Sequence, residues 1–593
     1  MRSAEDERAA ACFTHYPIQS GFEAMNQAHL GETHRVENVS TELVDYNLFT
    51  TDTPLVEAVA REGGAWGATQ IHDFAAHIGR AEYLELGYLA NRYTPELDTH
   101  DRFGRRLDLV RYHPAYHQLM DTALSNGLHS APWTDPRAGA HVVRGAKSFM
   151  HSQVEAGHGC PVTMTFASVP SLRHQPELAD IWLPKVLARG YDPRNLPVEQ
   201  KSAATIGMGM TEKQGGSDVR ANSTTATPLG EGGGGQLYAL VGHKWFLSAP
   251  MCDAFLVLAN TAAGVSCFLV PRWLPDGEKN ALNVIRLKDK MGNKSNASSE
   301  VEFRGARGWL VGEEGRGVPT IIEMVSLTRF DCMGASAGLM RAGLANAIHH
   351  CRERAAFGAR LIDQPLMRNV LADLALEYEA AIAFAMRMAR ALDSRASDQH
   401  EANLARLATA VGKYWNCKRA PNHSYEIMEC IGGSGVMENS IFPRLYREAV
   451  INPIWEGSGN VQCLDVLRAM GKSPAVVHSF ISECEQARGG NGYLDRYLDA
   501  LKAQIGSLDP GDDQALQFGA RALVDRMALA FQAALLVRHA PQAVSEAFCA
   551  SRLHGDGQHN FGALPQGTDV ATIIERADPA SPCALKQIMA NAA

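Results

Sequence analysis

The sequence predicts an α+β fold, mainly α, in which a β domain sits between helical ones. Three observations carry that prediction. The 593 residues exceed what one hydrophobic core supports, so several domains are expected. Apolar residues recur at three- and four-residue spacing on both sides of the chain's middle, the period of an amphipathic helix. Between residues 201 and 312 the texture changes to short alternating apolar runs bounded by turn residues, which reads as strands.

Residues 1–33 form an extension of low pattern content. An N-terminal helical domain follows over 34–200. In "DTPLVEAVAREGGAW", Asp52 or Thr53 serves as cap, Pro54 opens the helix and apolar residues follow at helical spacing. "AEYLELGYLANRY" repeats that period, and "FMHSQVEAGHGCPVTMTFASVPSL" continues it less regularly. The central β domain, 201–312, contains "QLYALVGHKWFLS", "AFLVLANT", "SCFLVPRW" and "SSEVEFRG". The glycines of "LGEGGGGQ" suit a hairpin tip. They are not a dinucleotide fingerprint, because the GxGxxG spacing and the following helix are missing. A helical bundle domain spans 313–470, with "PLMRNVLADLALEYEAAIAFAMRMARALD" apolar over a wide face. A C-terminal helical domain, 471–593, closes the chain, its clearest helix being "QALQFGARALVDRMALAFQAALLVRHA".

Composition narrows the function. A net charge of −9 does not suit a chain built as a whole for nucleic acid. The 12 cysteines include no CxxC pair, which argues against zinc ribbons and thioredoxin-type sites. The start, "MRSAEDERAAACF", has no apolar core of a signal peptide, and "MALAFQAALLV" is too short to cross a bilayer. A cytoplasmic protein with no membrane partner is expected. His113 and His117 stand at i,i+4 spacing but lack a third ligand, so no metal site is read. "GASAG" around Ser336 spells a nucleophile pattern inside a helical stretch, where close helix packing is the better account.

One loop remains, "MTEKQGGSDVR" at 210–220. Small residues with free amides and hydroxyls let something flat or anionic approach the backbone. Taken alone, the stretch reads equally as a polar surface turn. It is followed in order by "GHKWFLS", "KDKMGNKSNASSEVEF", "RERAAFG", "IGGSG" and "IWEGSGNVQ". This series, over about residues 40–470, resembles the acyl-CoA dehydrogenase flavoprotein family, and its wording resembles the AidB-like, alkylation-response branch.

The resemblance implies FAD and a site residue by residue. Met210 and Thr211 run along the flavin edge, Gly216 belongs to the same loop and Ser217 reaches the pyrophosphate. Phe246 takes the place of the family's flavin-facing Trp, Ser248 that of its N5-contacting Thr, and Leu247 lies between them. Arg354 and Phe357 reach the cofactor of a neighbouring subunit, which implies a homotetramer and at least a dimer. Gly432 and Gly433 lie on the adenosine side, although Glu429 replaces the usual Gln and Gln364 is shifted. Ile454, Trp455, Ser458, Gly459 and Asn460 complete the cofactor set around Glu456, which stands at the catalytic-base position. The earlier base position of some branches holds Thr328, followed by Arg329. Ser326 replaces an acid that helps hold CoA.

The implied function is α,β-dehydrogenation of an acyl-CoA or similar activated small molecule, with Glu456 as base and FAD as hydride acceptor. The alternative is a flavin protein that binds double-stranded DNA and protects it from alkylation. Residues 473–593 hold nine Lys or Arg against thirteen Asp or Glu, the opposite of a phosphate footprint.

Overall fold

Asp52 starts the first helix, Thr53–Val59, by accepting the amide of Leu55 at 3.2 Å, with Pro54 in the opening turn. Of the two caps the sequence offered, the carboxylate is the one used. The computed structural model describes residues 33–554 and 559–592, and the chain from Ser40 onward is one unit. The N-terminal extension thus falls almost wholly outside the described residues.

The architecture is mainly helical around a strand barrel. Helices Ala68–Ile78, Ala81–Arg92, Pro114–Ser125, Ala140–Val154, Gly159–Leu172 and Pro176–Val186 precede the barrel. A ribbon that the sequence did not announce interrupts them: β1 (Glu96–His100) pairs antiparallel with β2 (Arg106–Arg111). Its side chains are mostly half-exposed or exposed, and Leu97, Leu107, Leu109 and Val110 are too few to carry a clear apolar period. What fixes it is tertiary. Asp108 accepts the amide of Val284 at 3.2 Å, and Arg106 donates to the Val284 carbonyl at 2.6 Å.

The barrel comprises β3 (Ile206–Gly209), β4 (Thr225–Pro228), β5 (Leu237–Ser248), β6 (Ala254–Thr261), β7 (Gly264–Pro271), β8 (Leu282–Leu287) and β9 (Ser298–Val311). β6 pairs with β4, β4 with β5, β5 with β9, β9 with β7 and β7 again with β6, so the path closes. β3 pairs with β6 and β8 with β9 outside that ring. Closure leaves the ring strands no free edge. β6 and β7 are buried nearly throughout, as their unbroken apolar runs require. β5 departs from alternation. Its register shifts between Lys244 and Leu247, and both of those side chains are fully buried. Trp245 and Phe246 are thereby the residues left toward the open side.

Three long helices, Gly317–Glu353, Pro365–Ser394 and Gln399–Ile431, form the bundle. Gly338 is a contact point, since a Cβ there would meet the Phe149 carbonyl at 2.6 Å. Ser336 beside it is fully buried and donates to the Cys332 carbonyl at 2.8 Å, which makes "GASAG" a packing sequence. The helices after Ser473 dock on the bundle. Phe531 lies 4.5 Å from Phe384 and 5.2 Å from Phe480, ring centre to ring centre. Arg387 bridges Glu401 at 2.8 Å and Glu483 at 2.9 Å.

Candidate active site

Glu456 sits at the tip of the loop between helices Ile441–Ala449 and Gly459–Lys472, with φ +56°. A left-handed backbone at a residue other than glycine costs roughly 1–3 kcal/mol. The surroundings hold it there. Lys413 donates to the carbonyls of Trp455 at 2.7 Å and Gly457 at 2.6 Å. Gln462 donates to the carbonyls of Glu456 and Gly457, both at 3.0 Å, and Arg329 to that of Glu456 at 3.1 Å. Asp465 anchors Arg329 at 2.8 Å. The carboxylate itself is half-buried and accepts one hydrogen bond, from Thr328 Oγ1 at 2.7 Å. Burial raises its pKa above 4.5, opposed by the Thr328 hydrogen bond and the charges of Lys413 and Arg329. A carboxylate so placed is a stronger base than one in water.

The loop 210–217 is built on a buried ion pair. Glu212 and Lys244 are fully buried and meet at 2.6 Å, and Glu212 also accepts the Ser223 amide at 2.7 Å. Burial opposes the charge on Glu212, but the bonds from Lys244 and Thr224 outweigh it and bring the carboxyl to about 2. Gly215 is obligatory, because a Cβ would meet the Asp218 carbonyl at 2.8 Å. Trp245 donates its amide to the Thr211 carbonyl at 2.8 Å, which ties the loop to the β5 bulge.

The bond sets Thr211 beside Trp245, and Gly216 lies against the Thr211 side chain, so this part of the loop and the two adjacent aromatics form one shelf. Phe246 is 45% exposed, although it belongs to the barrel, and Lys288 lies 3.0 Å from the centre of the Trp245 ring. Among the described residues, the Thr211 hydroxyl and the amides of Gly216 and Ser217 have no partner. The side chain of Leu247 is fully buried, so only its backbone can serve a ligand. Ser248 shares a hydrogen bond with Ser298 at 3.1 Å.

Cys160 joins the two halves. Burial, eased by Lys290 and aided by the charge of Glu456, lifts its thiol to about 12. Neither Cys160 nor Lys290 carried a sequence signal, because both reach the site only through the fold.

Other residues of the set lie elsewhere. Phe357, with φ +53°, is fully exposed in the turn between Ala355–Ala356 and Ala359–Arg360, so it packs on none of the described residues. Arg354 ends the helix before that turn. Gly432 and Gly433 are exposed at the end of helix Gln399–Ile431. Ile454 is 67% exposed, while Trp455 donates to Asn452 at 3.0 Å. Ser458 stands just before the next helix without a side-chain capping bond, Gly459 lies against Tyr414, and Asn460 is engaged by Arg521 at 2.8 Å.

Comparison with known proteins decides the family. Residues 38–193 match the adaptive response protein AidB N-terminal domain, 207–306 the acyl-CoA dehydrogenase middle domain and 315–471 the acyl-CoA dehydrogenase C-terminal domain. Over 529 residues, 89% of this chain and 95% of its relative, the sequence is 46% identical to the acyl-CoA dehydrogenase-type protein AidB of Escherichia coli (strain K12). The chain belongs to the AidB-like acyl-CoA dehydrogenases. It is accordingly an oxidoreductase of the acyl-CoA dehydrogenase type. Acyl-CoA dehydrogenase family member 11 of Caenorhabditis elegans is 30% identical over 78% of each chain. The crystal structure of Caenorhabditis elegans ACDH-11 with C11-CoA superposes with TM-score 0.81 at 27% identity, covering 89% of this chain and 94% of that one. A Bacillus anthracis acyl-CoA dehydrogenase complexed with FAD shares the fold, with TM-score 0.62 at 19% identity over 88% and 90% of the two chains. Among the described residues no helix is long and apolar enough to cross a membrane.

Proposed function

We propose that this AidB-like protein binds FAD on the shelf of Met210, Thr211, Gly216, Ser217, Phe246 and Ser248 and dehydrogenates an acyl-CoA or a similar activated compound. The observation that carries the reading is Glu456, a half-buried carboxylate with raised proton affinity, held in a left-handed turn by Lys413, Gln462 and Arg329. The shelf fits the cofactor's chemistry. A flat ring asks for an apolar face and donors toward its oxygens and nitrogens, and a diphosphate asks for free amides. Phe246 offers the first, and the unpartnered groups of Thr211, Gly216 and Ser217 offer the rest.

In this mechanism Glu456 removes the α-proton of the thioester and holds it on its carboxyl. FAD, when bound, supplies the acceptor for the β-hydride. The electron pair left by the α-proton becomes the new Cα=Cβ bond. Thr328 orients the Glu456 carboxyl, and the caps on its backbone keep that carboxyl from swinging out to water.

Arg354, Phe357, Gly432 and Gly433 support a homotetramer, or at least a dimer, in which one subunit's exposed turn completes a neighbour's cofactor site. Phe357 is fully exposed, so its ring is open to a neighbouring subunit. No observation among the described residues favours the DNA-binding alternative.

Anaerobic titration of the purified protein with short and branched acyl-CoAs, followed near ~450 nm where hydride arrival removes the flavin band, tests the reading. Bleaching in the wild type and none in E456Q is expected. A yellow protein that no thioester bleaches would overturn the dehydrogenase reading. E456Q bleaching as fast as the wild type would remove Glu456 as base.

A further inference from the structure

A cavity of about 150 Å³ lies among the N-terminal helices and shares no residue with the Glu456 loop or the shelf. Lys147, on helix Ala140–Val154, lines it and is 7% exposed. Among the described residues its ammonium has no hydrogen bond and no ion pair. Its charged neighbour is a cation: Arg189, at the rim, which also has no such partner among the described residues. Burial, with Arg189 adding to it, brings Lys147 down to about 8.

The other charges around the cavity are committed. Asp135, the acid of its wall, pairs with Arg137 at 3.0 Å, and that guanidinium lies 3.4 Å from the centre of the Trp66 ring. Arg144 is bound by Asp331 and by the Leu128 carbonyl. The Phe74 ring, 5.9 Å from Lys147 Nζ, offers the ammonium only a weak attraction, and beside a like charge an anion in the cavity would stabilise it further. Buried structural lysines such as Lys244 have their carboxylate in the chain; Lys147 does not.

We propose that Lys147 and Arg189 bind a small oxyanion, a phosphate or a short carboxylate, in this cavity. The volume suits one such group and is too small for a nucleotide or a CoA. Lys147 supplies the buried charge-assisted bond and Arg189 a planar donor fork from the rim. Gln70 and Asn126 add polar groups to the wall and Leu128 and Val143 apolar ones, a mixture that either a phosphate or a short carboxylate can meet. This site stands independently of the dehydrogenase reading.

The test is calorimetric titration and thermal melting of the purified full chain with sodium phosphate and with sodium propionate, each against sodium chloride at equal ionic strength. Specific binding raises Tm saturably above the chloride control. The anion that saturates at the lower concentration identifies the class. K147M is expected to weaken that binding about ten- to a hundredfold while melting no lower than the wild type without anion, since it removes an unpaired buried charge. R189Q, at an exposed position that leaves the core untouched, weakens it in the same direction. The proposal is overturned if neither salt exceeds chloride, or if K147M or R189Q keeps the full wild-type response.

Discussion

Thr328 Oγ1 lies 2.7 Å from Glu456 Oε2 and 2.9 Å from its own helix carbonyl at Val325. One hydroxyl proton cannot serve both acceptors, and the ionised carboxylate is the stronger. When Glu456 is protonated the bond can reverse, with the carboxyl donating to Thr328 and Thr328 to Val325. Thr328 therefore serves both states of the base, but the ionised one more. T328V should raise the pKa of Glu456. Because the base works only when deprotonated, the acid limb of the kcat–pH profile should move to higher pH. The plateau rate should fall far less than the roughly 10²–10⁴-fold loss expected for E456Q. A limb that stays in place or moves to lower pH would refute the assignment.

Glu212 and Lys244 are both fully buried and meet at 2.6 Å. Replacing Lys244 by Met leaves Glu212 uncompensated, at a cost of about 3–5 kcal/mol. The loss should appear as a lower urea midpoint and, because Thr211 to Ser217 hang on this pair, as a lower flavin-to-protein absorbance ratio. E212Q/K244M should recover part of the stability. The sign of the pH dependence is fixed. Glu212 titrates at about 2 in the fold against 4.5 outside it, so its contribution is full above pH 4.5 and is lost as pH falls toward 2.

The long helices were legible because their period runs for many turns: "PLMRN…ALD" is the helix Pro365–Ser394 and "QALQF…RHA" the helix Asp513–His539. β6 coincides with "AFLVLANT", its apolar run being buried on both faces. The ribbon β1–β2 and the four-residue strands β3 and β4 were not legible. They are too short or too polar to carry a period, and pairing partners define them. At the site, Glu456 and the 210–217 loop stood in motifs, whereas Lys413, Gln462 and Lys290 did not. Lys413 lies 42 residues from the Trp455 carbonyl it caps, and one of two lysines in a 33-residue helix announces no such contact. The departure of β5 from alternation came from its bulge, which the sequence shows only as two adjacent aromatics.

Gly338 packs against Phe149 and Ser152 across two helices. G338A should cost about 1–3 kcal/mol by overpacking, read from the urea midpoint. Ser336 is fully buried, so the native protein should not react with a fluorophosphonate. Labelling at Ser336 under native conditions would contradict the packing account.

Lys290 donates to Ser298 Oγ at 2.8 Å and to the Asn296 carbonyl at 2.7 Å, and Ser298 passes the contact on to Ser248. Burial brings its pKa from 10.5 to about 8, against the pull of Cys160, Glu448 and Glu155. Between those two values the unfolded chain binds more protons than the folded one, so stability rises with pH across that window. Below pH 8 this contribution is absent, and above 10.5 it is complete. K290M removes the titration while keeping most of the side chain's reach. The difference in urea stability between wild type and K290M should therefore grow in favour of the wild type from pH 8 to 10. A difference that stays constant over that range would mean that Lys290 titrates as an ordinary lysine, and that the chain Lys290–Ser298–Ser248 is charged throughout the working range.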